Sequence, residues 1–135
     1  MKKNLFTLLL GSILILSACG GGKGPTTTIN VTMTDFVFTP NEFTVPAGKE
    51  ITINAKNDGV VLHEFVIFKL GKDAGEKFGP EDEDNIYWEV EAEKGQSVTK
   101  TFTAPAEPGE YFVTCGIEGH LEAGMNGKLI VVPAE

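Results

Sequence analysis

Cationic side chains, histidine, cysteine and long apolar or helical runs are all scarce in this chain, and each shortage removes a class of function. Lys and Arg number 11 against 19 Asp and Glu, a formal charge of −8 over 135 residues, which disfavours a nucleic-acid partner. Beyond residue 18 no apolar run is long enough to span a bilayer. No stretch carries a sustained helical period, which argues against a helix bundle. The acidic residues show no spacing that marks an acid–base pair, and the chain has two histidines in all, so an enzyme is not expected. The length favours a single domain.

The first residues belong to export rather than to that domain. Met1-Lys-Lys3 is a positive n-region, Leu5 to Leu16 an apolar h-region, and Leu16-Ser-Ala-Cys19 a small-residue processing site. Leu-Ser-Ala-Cys is similar to a bacterial lipobox, which implies that residues 1–18 are a lipoprotein signal peptide and that Cys19 is diacylated as the first mature residue. An ordinary signal peptide cut nearby, leaving a free protein, is the alternative. Loss of Lys2 and Lys3 would leave the mature chain more acidic still. Residues 19–27 read as the lipidated Cys and a flexible Gly-rich tether, Gly20-Gly-Gly-Lys-Gly-Pro-Thr-Thr27, spanning about 15 Å. If Cys19 carries lipid, Cys115 is a lone thiol in an oxidising compartment, where a metal is the simplest protection. A Cys19–Cys115 disulfide or an inert buried thiol are the other readings.

From residue 28 to 135 the signals are those of strands. Ile29, Val31 and Met33 alternate with Asn30 and Thr32, with Met33 read as core packing; Phe36 to Phe38, Phe43 to Val45, and Ile51 with Ile53 follow, punctuated by Pro40, Pro46 and Gly48. After Asn57-Asp-Gly59, the run Val60 to Phe68 is apolar at nearly every position, which predicts a strand covered on both faces. Gly71 to Asn85 reads as a long loop with one helical turn. Its acidic end, Glu81 to Asp84, is either solvated surface or a means of steering a basic partner. Ile86 to Val90, Val98 to Phe102 and Tyr111 to Cys115 complete an all-β, antiparallel Greek-key sandwich.

The chemistry is concentrated in Cys115-Gly-Ile-Glu-Gly-His120-Leu-Glu-Ala-Gly-Met125, a loop between two strand-like runs. Thiolate and thioether suit Cu(I), and imidazole suits both copper states. A fourth donor must come from elsewhere, and His63 is the other histidine. Taken alone, a histidine in an apolar strand reads as an ordinary core residue. Gly116, Gly119, Gly124 and Gly127 are expected to let the loop turn His120 and Met125 back toward Cys115.

With one early His and a late Cys, His, Met loop, the chain resembles the cupredoxins, the small blue-copper electron carriers, over roughly Thr27 to Pro133. Four residues between Cys115 and His120 and four between His120 and Met125 resemble the spacing in auracyanin, rusticyanin and sulfocyanin more than that in plastocyanin. The resemblance implies a cupredoxin-like fold and one type 1 copper held by His63, Cys115 and His120, with Met125 as weak axial ligand. It also implies a monomeric electron-transfer protein, lipid-anchored and facing the periplasm or cell exterior, serving redox partners such as a cytochrome, an oxidase or a reductase. A copper buffer or chaperone using the same ligands is the alternative function. Leu121, Ala123, Ile117 and Val60 are expected around the His120 edge as a docking patch or as shielding. Two departures bear on the metal environment: Glu64 follows His63 where Asn is frequent, and Glu118 stands where many relatives have Pro, either near the metal or as a solvated loop residue.

Overall fold

A computed structural model describes residues 24–135, so the reading of Cys19 and of the segment before it lies outside the described residues. Nine strands follow in chain order: β1 Thr28–Thr34, β2 Val37–Thr39, β3 Glu42–Pro46, β4 Glu50–Asn57, β5 His63–Phe68, β6 Ile86–Ala92, β7 Ser97–Thr103, β8 Gly109–Thr114 and β9 Asn126–Val132. They form two sheets, β2-β1-β4-β7 and β3-β9-β8-β5-β6. The alternation in β1 and β4 does what its period requires, sending Ile29, Val31, Met33, Ile51, Ile53 and Ala55 into the space between the sheets. Phe65 of β5 fills the centre, its ring 5.3 Å edge-on from both Phe38 and Phe43. Trp88 stacks on Phe102 at 4.6 Å between β6 and β7.

Pairing is not wholly antiparallel, contrary to the expectation from the short turns. β1 runs parallel to β4, and β3 parallel to β9. Each parallel pair lies within one sheet and joins strands that are not consecutive in the chain, which a hairpin cannot do.

The apolar run Val60 to Phe68 splits in two. His63 to Phe68 is strand, but Val60 and Val61 are 67% and 41% exposed. The cause is Asn57, fully buried at the end of β4: its side-chain amide donates to the carbonyls of Val61 and Ala92, and its oxygen accepts the Gly59 amide. That folds residues 59–61 outward before β5 begins. The expectation of cover on both faces holds for the rest of β5. Phe68, on the face away from the core, packs at 6.2 Å from Phe78 and 5.7 Å from Phe112. The acidic turn is a 3-10 helix, Pro80–Asn85. Asp82 is buried there and accepts the Gly79 amide, so its carboxylate shapes the loop rather than facing solvent.

Candidate metal centre

β5 and β8 lie side by side, pairing Val66 with Thr114 and Ile67 with Val113. That register brings His63, the first residue of β5, beside Cys115, the residue after β8. The Glu64 amide points at Cys115 Sγ from 3.4 Å. The loop that follows closes on its own backbone. His120 donates to the Ile117 carbonyl at 3.0 Å, Met125 to the His120 carbonyl at 3.0 Å, and Cys115 to the Met125 carbonyl at 3.1 Å. Gly119 and Gly124 sit at φ +85° and +97°, where side chains are strained. Gly127 is required for space instead, since a Cβ there would meet the Asn41 carbonyl, while at Gly116 the end of the Glu64 side chain occupies the room a Cβ would take.

The result is three donors turned on one point. His63 Nδ1 and His120 Nδ1 are 3.2 Å apart, and Cys115 Sγ is 3.2 Å from His120 Nδ1 and 3.9 Å from His63 Nδ1. His63, Cys115 and His120 are all buried. Among the described residues Cys115 is a free cysteine. Met125 is fully buried, and its backbone joins both Cys115 and His120. His63 Nε2 is taken by Asp35 Oδ1 at 2.8 Å, which leaves the Nδ1 lone pair facing the cluster.

Burial pushes the Cys115 thiol above its ordinary value, against the pull of the Glu64 and Ile117 amides. Burial, and then His63, push His120 below its own. An imidazole that resists protonation, a second imidazole turned on the same point and a thiol enclosed with them have a common remedy, a shared cation that takes the lone pairs and holds the sulfur as thiolate. Two nitrogens and a sulfur, with a thioether-bearing residue in the same loop, match the soft and borderline donors that copper takes. The residues present fit such an ion.

Several neighbours escaped the sequence reading. Asp35 accepts from the Val60 amide with both oxygens, at 3.2 and 3.1 Å, besides its bond to His63. That amide above all, and then the His63 ring, hold its carboxyl below the usual range despite some opposing burial, so it is ionised near neutrality. Phe36 lays its ring 4.7 Å from that of His120. An Asp and an Asn beside turns are ordinary in sequence, and only the approach of the β1–β2 and β4–β5 connections gives them this role. Of the expected surroundings, Glu118 is solvent-exposed, which answers to its reading as a loop residue. Leu121, expected as part of a docking patch or as shielding, is buried, which answers to shielding.

The family model for the cupredoxin-like domain matches residues 6–131. The chain belongs to the cupredoxins. It is 32% identical to auracyanin-A of Chloroflexus aurantiacus, over 97% of this chain and 97% of that protein. Among solved structures, auracyanin from the photosynthetic bacterium Roseiflexus castenholzii is 35% identical, covering 82% of this chain and 100% of its own, with a TM-score of 0.70. Auracyanin A of Chloroflexus aurantiacus, described as a "blue" copper protein, is 33% identical over 81% of this chain and 100% of its own, with a TM-score of 0.64. The two-sheet sandwich is thus that of a cupredoxin, as the ligand-loop resemblance implied.

Proposed function

We propose that this cupredoxin holds one type 1 copper and carries single electrons between larger redox proteins. His63, Cys115 and His120 would be its strong ligands and Met125 a weak fourth. The observation that carries the reading is the convergence of two imidazole nitrogens and a thiol within 4.8 Å of one another in a buried cluster, together with the likeness to auracyanins along nearly the whole chain. Copper, when bound, takes up and gives back one electron. The chain's contribution is to hold its donors still while that happens. His63 sits on β5, the Glu64 amide steadies the sulfur, and the 115–125 loop is closed by its own hydrogen bonds. A site that does not rearrange lets the electron pass with little reorganisation.

Electrons would leave through the His120 edge. Phe36 is exposed against His120, and Val60 and Val61 on the β4–β5 connection and Ala123 on the loop are exposed as well, apolar side chains suited to brief docking of a protein partner. Leu121 seals the metal from water rather than lining that surface. Donors this deeply buried suit a carrier better than a labile copper chaperone or an enzyme, both of which need open access. Attachment through lipidated Cys19 would keep the domain at the membrane, on the periplasmic or outer side. Mass spectrometry of the mature N-terminal peptide tests this, and an unmodified Cys19 or a downstream start would mean a freely diffusing carrier.

The absorption spectrum of the Cu(II) protein tests the metal centre. An intense thiolate-to-copper band in the orange-red is expected, and Cys115→Ser should abolish it with far-ultraviolet circular dichroism unchanged. A Cys115→Ser protein that kept the band would remove Cys115 from the ligand set.

A further inference from the structure

The Asp35–His63 hydrogen bond lies outside the ligand set and has no counterpart in the loop that defines the family resemblance. At 2.8 Å it joins the Asp35 carboxylate to the ring nitrogen on the far side of His63 from the cluster. Two further features show that it is built in. The Val60 amide donates to both carboxylate oxygens and fixes the carboxylate's orientation. Gly59 lies directly over the bond: a Cβ there would collide with Asp35 Oδ1, stand 2.7 Å from His63 Nε2 and 3.1 Å from Asn57 Oδ1. A glycine at 59 therefore admits the contact and covers it with backbone. His63 is fully buried, whereas a quarter of the Asp35 side-chain surface stays in water, so the charge keeps some hydration while its effect on the ring runs through a sheltered bond.

We propose that Asp35 is a positioning and tuning residue of the copper centre, whose carboxylate fixes the His63 tautomer and lowers the reduction potential by making His63 a stronger donor. The proposal rests on His63 being a ligand. Its physics is a sign argument. An anion hydrogen-bonded to a metal-bound imidazole pushes electron density toward the metal, and that favours the more highly charged Cu(II) over Cu(I). Replacing the carboxylate by an amide keeps an acceptor for the ring N–H and removes the charge.

The test is the reduction potential of copper-loaded Asp35→Asn, read with its absorption spectrum. The blue band should persist while the Cu(I)/Cu(II) ratio at a fixed mediator potential rises about tenfold, 59 mV for one electron. Glu50→Gln, which removes a charge from the opposite end of β4, should leave the ratio alone. An unchanged potential in Asp35→Asn, or an equal shift in Glu50→Gln, overturns the proposal. Absence of the blue band from the unsubstituted protein would instead overturn the copper assignment itself. Should Asp35→Asn fail to fold or to hold copper, proton NMR of the reduced, diamagnetic unsubstituted protein decides. A downfield, exchange-protected His63 Nε2–H supports the proposal, and a freely exchanging one overturns it.

Discussion

Cys115 has no use for its surroundings unless a cation is present. It is fully buried, and burial drives its thiol upward, away from the thiolate that does redox and metal chemistry. Met125 has the complementary character, a soft neutral sulfur that needs no proton released. Met125→Leu should therefore retain copper and raise the potential, since losing a thioether destabilises Cu(II) more than Cu(I). Voltammetry checks this, and loss of copper or an unmoved potential would assign the weak fourth ligand elsewhere, for instance to the Leu62 carbonyl. The cluster of His63, Cys115 and His120 was legible because few histidines and cysteines exist in the chain. Asp35, Phe36 and Asn57 were not, because Asp and Asn are common beside turns and an exposed Phe is common anywhere. What singles them out is a neighbour more than twenty positions away.

At the scale of elements, alternation in β1 and β4 revealed both which strands exist and which side chains are inward. The Val60 to Phe68 run misled at its start, since valines favour strand and nothing in their own chemistry says that Asn57 has claimed the Val61 carbonyl. Parallel pairing was equally hidden, because period-two patterning is blind to the direction of the neighbour. Glycine roles also divide by element. Gly127, at the start of β9, packs against the Asn41 carbonyl, which in turn accepts the Lys128 amide at 2.9 Å. Gly127→Ala must move backbone and should cost about 2–3 kcal/mol. Gly119→Ala meets open space and pays only for its positive φ, about 1–2 kcal/mol. Urea unfolding of the two variants should rank them in that order.

The molecule as a whole gathers negative charge on one side of the second sheet. Glu64 is pushed up to about 7, first by burial and then by Glu89, Glu91 and Glu83, and Glu89 is raised by burial and the same neighbours. The folded protein thus holds a proton on Glu64 that the unfolded chain releases near 4.5. Folding takes up a proton between those values, so stability is greatest below about 4.5 and declines as pH rises to about 7. Half-exposure limits the Glu64 share to roughly 1–2 kcal/mol. Denaturation of the copper-free protein at pH 5 and 7.5 should show that decline, and Glu64→Gln should flatten it. The position of β9 has a consequence of another kind, for the timing of folding. It lies between β3 and β8, inside its sheet, although it comes last in chain order among the nine strands. A growing chain can pair β5 with β6 and β5 with β8 before β9 exists, but cannot seat β3 until it does. Such non-local closure places folding in the millisecond-to-second range. Cys115 and His120 precede β9 while the hydrogen bonds that close their loop end at Met125, beside it. Metal capture by a finished site therefore waits for the last strand, and until then the thiol is exposed to any oxidant the chain meets.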